Sequence, residues 1–340
     1  MKKESLVSVA ERAGCSVSTV SRVLSGNAAK YRISQPTVDR VMEEVRRCNY
    51  TPSLLAKGLR TNRTDTIGLL IPDIENSFFA HVAGVMIREA RNYNYKVVVA
   101  DTQEDERNEQ DGLSALLARG VDGIVAVPCS NNAGLFAGVQ RDGMPLVLVD
   151  RYLPEVQSLS YVTTDNYRGA VMATEYLLEN GHRRIVCIQG TPHSMPVRDR
   201  VRGFTDAMNA RGLGDWVVVT GEDFSVQNGY LEAKLALSGA GERPTAIFAL
   251  SNLILLGVVK AVQESGLRIP DDISVISFDD NMLFNYLDPA ITCIAQPTDE
   301  IGSLAIKLLI RAIREPGSAA SRLHLPPSLV VRRSVRNLLL

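Results

Sequence analysis

Two rhythms of apolar residues divide the chain. In the first fifty residues hydrophobic side chains recur at three-four spacing. Leu6, Val9, Ala10 and Ala13 make one stripe, and Val38, Val41, Met42 and Val45 another. Beyond residue 65, short apolar runs alternate with amphipathic stretches. TIGLLIPD (66–73), KVVVAD (96–101), DGIVAVP (122–128) and PLVLVDR (145–151) predict strands, with helices near 79–92, 107–119 and 132–141. A second series opens at YVTTD near 161 and runs through RRIVCIQG, WVVVTG, TAIFALS, ISVISFDD, ITCIAQP and SLVVRRS. Its helices fall near 168–180, 197–211, 226–237, 253–265 and 299–314. Such alternation builds doubly wound parallel sheets, here as two α/β lobes joined by more than one crossover.

The head has its own logic. VAERAGCSVSTVSRVLSG (9–26) carries Ala10, Gly14 and Val20 at the spacing of a helix-turn-helix. Ala10 lets a second helix approach, Gly14 supplies a left-handed turn residue, and Val20 buries against the first helix. Ser16 is a good N-cap. The second helix keeps Val20, Val23 and Leu24 inward and turns Val17, Ser18, Ser21 and Arg22 outward, a face that fits a DNA major groove. An αα-hairpin within a bundle is the plain alternative. A third helix, capped by Ser34, is expected to end near Asn49. NYTPSLLAKGLRTNR (49–63) follows: either a linker, or a hinge helix that orders on DNA and wedges Leu59 into the minor groove. The expected domains are therefore 1–50, 51–63 and 64–340. Within the last, one lobe is expected over about 64–160 plus 297–320, the other over about 161–292 plus 322–335.

Charge sharpens this division. The 340 residues carry a net charge of −1, yet residues 1–63 hold twelve basic against five acidic side chains, +7, which leaves −8 for the rest. A basic head on an acidic body assigns the polyanion contact to the head alone. No window approaches about 18 uninterrupted apolar residues, so no membrane span is expected. MKKESLVSVAERAG opens basic but breaks its apolar run at Ser8, Glu11 and Arg12, so no secretory leader is expected either. Cys15, Cys48, Cys129, Cys187 and Cys293 are scattered without CxxC pairs and read as thiols of a cytoplasmic protein.

Ligands of doubly wound sheets bind at the carboxyl ends of strands. Polar residues there include Asp73, Asn76, Asp101, Asp150, Arg151, Asp165, Ser251, Asn252, Asp279, Asp280 and Gln296. Carboxylates, an Arg fork and an aromatic face suit polyol recognition. Arg151, Arg198 and Arg200 keep an anionic sugar open beside a neutral one. Enzyme readings fare poorly. His81, His182, His193 and His324 are far apart, HExxH and GxSxG are absent, and no GxGxxG or Walker loop occurs. No catalytic residue, metal or cofactor is expected.

SVAERAGCSVSTVSRVLSG, NYTPSLLAKGLR, TIGLLIPDIENSFF, VDGIVAVP, LVLVDR, RDRVRGF, ISFDD and LVVRRS together make the chain resemble the LacI/GalR family of bacterial transcription repressors over nearly its whole length. The stretch from Ala28 to Asn76 looks closest to the fructose and sucrose repressor branch. The resemblance implies an all-α head, a hinge helix and a periplasmic-binding-protein-like core that dimerises. It implies DNA contacts from Ser5, Leu6, Ser16, Val17, Ser18, Thr19, Ser21, Arg22, Asn27, Tyr50, Leu55, Ala56 and Leu59. It implies effector contacts from Asp73, Asn76, Phe78, Phe79, Asp150, Arg151, Arg200, Ser251, Asn252, Asp279 and Gln296. The chain departs from the family in carrying Ser251-Asn252 where Asn-Asp is frequent, which removes a carboxylate. The expected partners are a pseudo-palindromic operator, a sugar, sugar acid or sugar phosphate, and a second copy of the chain. Family tetramers use a leucine-heptad helix beyond RRSVRNLLL, so a homodimer is expected. A two-lobed solute-binding protein without DNA function is the rival reading.

Overall fold

The computed structural model describes residues 5–50, 63–238 and 242–340. It separates into two compact units, Met1–Thr64 and Asp65–Leu340. Residues 51–62, and with them the expected hinge helix and Leu55, Ala56 and Leu59, lie outside the described residues.

The first unit holds three helices: α1 (Leu6–Arg12), α2 (Val17–Leu24) and α3 (Gln35–Arg47). Ser5 and Ser8 form a reciprocal capping box on α1, satisfying backbone donors that the first turn leaves open. Ser16 accepts the Thr19 amide at 3.1 Å to cap α2. Gly14 sits at φ +59°, so the turn between α1 and α2 uses the left-handed backbone that its glycine permits. Val9, Ala10, Ala13, Val20, Val23 and Val41 are buried together, a core as small as the unit.

The second unit contains two six-stranded sheets. The first orders its strands β11-β5-β4-β3-β1-β2, all parallel: β1 (Thr66–Ile71), β2 (Lys96–Asp101), β3 (Gly123–Ala126), β4 (Leu146–Val149), β5 (Ser160–Thr164) and β11 (Arg322–Leu325). The second repeats the pattern as β12-β10-β9-β8-β6-β7: β6 (Ile185–Ile188), β7 (Val218–Thr220), β8 (Ala246–Ala249), β9 (Ser274–Phe278), β10 (Thr292–Ala295) and β12 (Ser328–Val330). Only its edge pair, β12 with β10, is antiparallel. Helices α4 (Ser77–Asn92), α5 (Glu106–Ala118), α6 (Ala133–Arg141) and α11 (Thr298–Arg314) pack on the first sheet. Helices α7 (Asn166–Glu179), α8 (Met195–Ala210), α9 (Val226–Ser238) and α10 (Asn252–Glu264) pack on the second. The chain crosses between the lobes three times, after β5, after β10 and between β11 and β12.

Two expectations need correction. YVTTD does not open the second lobe. As β5 it pairs with β4, Val147 opposite Ser160, and buries Val162 in the first lobe's core. The segment 322–335 does not belong wholly to the second lobe either, because β11 pairs with β5 and joins the first sheet. RLHL escaped notice because Arg322 and His324 break its apolar run, as an exposed edge strand tolerates. Among the described residues no helix is long and apolar enough to cross a membrane.

Candidate functional site

The carboxyl ends of strands from both sheets face one cavity. The turn after β1 and the start of α4 bring Asn76, Phe78 and Phe79. The ends of β4, β8, β9 and β10 bring Asp150 and Arg151, Ser251, Asp279 and Gln296. Helix α8 brings Pro196 and Arg200, and the loop after β7 brings Phe224.

Asp150 and Asp279 both stand on left-handed backbone, φ +60° and +71°, where non-glycine residues are strained. Both are buried. Asp279 accepts a hydrogen bond from Gln296 Nε2 at 2.5 Å, and its Oδ1 lies 4.0 Å from Arg200 Nη2. Gln296 in turn accepts from Thr164 across the lobes. Asp150 Oδ1 is also buried, yet it has no hydrogen-bond partner among the described residues. Burial pushes the Asp150 carboxyl up to about 6; Arg200 and Arg151 pull against that rise, while Asp279 and Glu104 add to it.

The guanidinium groups are held firmly. Arg200 donates to Asn166 Oδ1 at 2.8 Å and to the Leu250 carbonyl at 2.6 Å, and lies 3.7 Å from the Phe278 ring centre. Burial lowers its pKa, with Asp279 and Asp150 opposing. Arg151 forks onto Glu104 at 2.6 and 2.5 Å between the rings of Phe79 and Phe224, 5.8 and 5.2 Å from their centres. Burial works against its charge, but Glu104 raises its pKa on balance. Three phenylalanines, two carboxylates, two guanidiniums and amide and hydroxyl groups can cover a sugar ring and meet its hydroxyls as donors and acceptors.

Two members of the expected set do not line the cavity. Asp73 accepts the Glu75 amide at 2.8 Å and closes the turn after β1 instead. Asn252 turns its amide onto Asn76 Oδ1 (3.1 Å) and Ser77 Oγ (2.9 Å), bridging the lobes beside the cavity. Asn281 donates to the same Ser77 hydroxyl at 2.8 Å. Arg198 is exposed and absent from the lining, and Asp280 pairs with Arg332 at 2.9 Å. Sequence reasoning missed Pro196, Phe224 and Glu104. The one trace of Phe224 is remote: a Cβ on Gly190 would fall 2.5 Å from its ring.

In the head, Val17, Ser18 and Arg22 stand exposed on α2. Arg22 lies 4.0 Å from the centre of the Tyr31 ring, which restrains its side chain. Ser16 Oγ sits 2.8 Å from the hydroxyls of both Ser18 and Thr19. Thr19 and Ser21 are half-buried, and Asn27 is exposed just beyond α2. Ser5 is exposed and caps α1. Leu6 and Tyr50 are half-buried against the head's own core, so their side chains serve packing first.

A helix-turn-helix unit followed by a two-lobed core with a polar cavity between its lobes is the build of a ligand-responsive DNA-binding regulator. Residues 5–53 match the model of bacterial regulatory proteins of the lacI family, and residues 174–335 match a periplasmic binding protein-like domain. The ribose operon repressor of Escherichia coli (strain K12) is 34% identical over 329 residues, spanning 96% of this chain and 98% of that protein. The chain belongs to the LacI family. Among solved structures, a LacI family transcriptional regulator from Enterococcus faecium with bound ribose is 29% identical at a TM-score of 0.73, over 80% of this chain and 99% of that one. The lac repressor dimer bound to operator and the anti-inducer ONPF shares the fold at a TM-score of 0.87 and 24% identity, over 98% and 100% of the chains.

Proposed function

We propose that this protein is a transcriptional repressor of carbohydrate-utilisation genes whose grip on operator DNA is set by a sugar held between its lobes. The observation that carries the reading is the unpartnered Asp150 oxygen, buried in a cavity walled by phenylalanines. An unsatisfied buried acceptor is costly, and a sugar hydroxyl satisfies it. The ribose named with two of the relatives supports a pentose rather than the ligands of the fructose and sucrose branch. Asn76, Phe78, Phe79, Asp150, Arg151, Arg200, Ser251, Asp279 and Gln296 contact the sugar in this reading, and Val17, Ser18 and Arg22 read the operator.

The chain works as a cytoplasmic homodimer, two heads meeting the two halves of a pseudo-palindromic site. The lac repressor dimer supports this arrangement, as do Met282, Leu283 and Tyr286, which stand exposed around one turn of the second lobe. Sugar binding favours one lobe arrangement and shifts the population of the DNA-binding state.

The test starts by selecting a preferred duplex from a random library with the full chain. Affinity is then measured against salt, with and without D-ribose. A head touching several phosphates gives a steep fall with salt, and ribose changes the midpoint. A flat salt response leaves only the solute-binding rival; a steep response that a panel of sugars leaves unmoved removes the sugar-responsive part.

A further inference from the structure

We infer that Glu104, which is not part of the cavity wall, makes this pocket select uncharged sugars by pairing with Arg151 and cancelling its charge. The inference rests on the sugar-pocket reading and narrows it.

Two guanidiniums beside a cavity ordinarily favour a phosphate or carboxylate on the ligand. Here most of their donors are already taken by protein groups. Both terminal nitrogens of Arg151 are bonded to the Glu104 carboxylate, and Nη1 also reaches the Pro128 carbonyl at 3.3 Å. Arg200 gives Nε to Asn166 and Nη1 to the Leu250 carbonyl, and its Nη2 faces the Asp279 carboxylate at 4.0 Å. Against these two positive charges stand Asp150, Asp279 and Glu104, with buried Glu109 a shell further out, bonded to the Cys129 and Ser130 amides. The Cys129 thiol, pushed up to about 12 first by burial, adds no charge at neutral pH. The balance is negative with Asp150 ionised and even with it protonated, when Glu109 is left aside. In neither state does the site attract an anion.

The position of Glu104 is built rather than incidental. Gln103 and Glu104 both adopt left-handed backbone, φ +53° and +56°, in the turn after β2. The Glu104 amide is fixed on the Pro72 carbonyl at 2.9 Å. That turn aims the side chain at Arg151, whose ring neighbours Phe79 and Phe224 wall the cavity. Glu104 therefore acts as a positioning residue through Arg151.

Calorimetric titration of the full chain with D-ribose and with D-ribose 5-phosphate tests this. The wild type takes ribose at least about tenfold more tightly than its phosphate, and Glu104→Gln shifts that ratio towards the phosphate by roughly tenfold or more. Glu104→Asp, which keeps the carboxylate, retains the wild-type ratio even where overall affinity falls. A wild type that prefers the phosphate overturns the inference by itself, whether or not the variants fold. An unchanged ratio in Glu104→Gln removes the role of Glu104 while the sugar pocket stands. No binding of either compound, nor of a panel of other neutral and anionic sugars, overturns the pocket reading and the inference with it.

Discussion

The two lobes repeat one strand order, and each follows the third strand of that order with an aspartate on left-handed backbone, yet the two aspartates are kept in opposite ways. Asp279 is committed to its surroundings through Gln296 and Arg200. Asp150 keeps an oxygen without a partner among the described residues, and burial raises its pKa. The same backbone device thus delivers one carboxylate tied to its neighbours and one with an oxygen that no described residue bonds. Strain of this kind costs of order 1–3 kcal/mol per residue and persists where the surrounding structure enforces it. Repetition of the fold accounts for where the aspartates are; their partners account for what each does.

The contrast predicts its largest effect at Asp279. Asp279→Ala leaves the Arg200 guanidinium buried beside an emptied site and should lower unfolding free energy by about 3–5 kcal/mol, read from urea denaturation, along with loss of sugar binding. A variant of wild-type stability erases the asymmetry drawn here. Asp150→Asn should do the reverse. It keeps the volume, removes a buried charge, and loses roughly ten- to a hundredfold in sugar affinity without loss of stability.

Asp150 also carries a pH signature. The folded-state value for Asp150 is raised from the ordinary 3.8 to about 6, so the folded protein holds a proton there that the unfolded chain releases. Well below pH 3.8 both states are protonated and Asp150 makes no difference. As pH climbs from 4 to 6 the wild type loses stability relative to Asp150→Asn, by up to about 3 kcal/mol. Denaturation of both proteins at pH 4 and pH 7 measures this directly, and a difference that does not change with pH contradicts it. Sugar hydroxyls donating to Asp150 favour its ionised form, so sugar affinity should rise towards pH 6 and level off above it, with proton release on binding below that point.

Much of this site was legible before any coordinates, because doubly wound sheets present ligands at strand ends and the polar residues there are few. Asp150, Arg151, Ser251, Asp279 and Gln296 follow from that rule, and Arg200 from its motif. What escaped has physical causes. Phe224 and Glu104 come from loops whose direction no periodicity encodes; Glu104 depends on two left-handed residues that are not glycine. Asp73 occupies a strand end like the others but is taken by its own turn. Strand β5 was assigned to the wrong lobe because apolar runs report that a strand exists and not which sheet it joins.

Asn252 offers the mildest probe, because it touches neither aspartate. Its amide spans the lobes to Asn76 and Ser77, where a carboxylate could only accept. If the second lobe's contribution beside Asp279 is to hold the closed arrangement, Asn252→Ala should cost about 0.5–1.5 kcal/mol per hydrogen bond lost. The same variant should weaken sugar binding severalfold by depopulating the closed form, without altering the preference for ribose over its phosphate. Asn252→Asp repels the Asn76 side-chain oxygen unless that amide flips, so it should fall between wild type and alanine. A change in ligand preference from either variant would place Asn252 among the residues that read the sugar and dissolve the division between holding and reading.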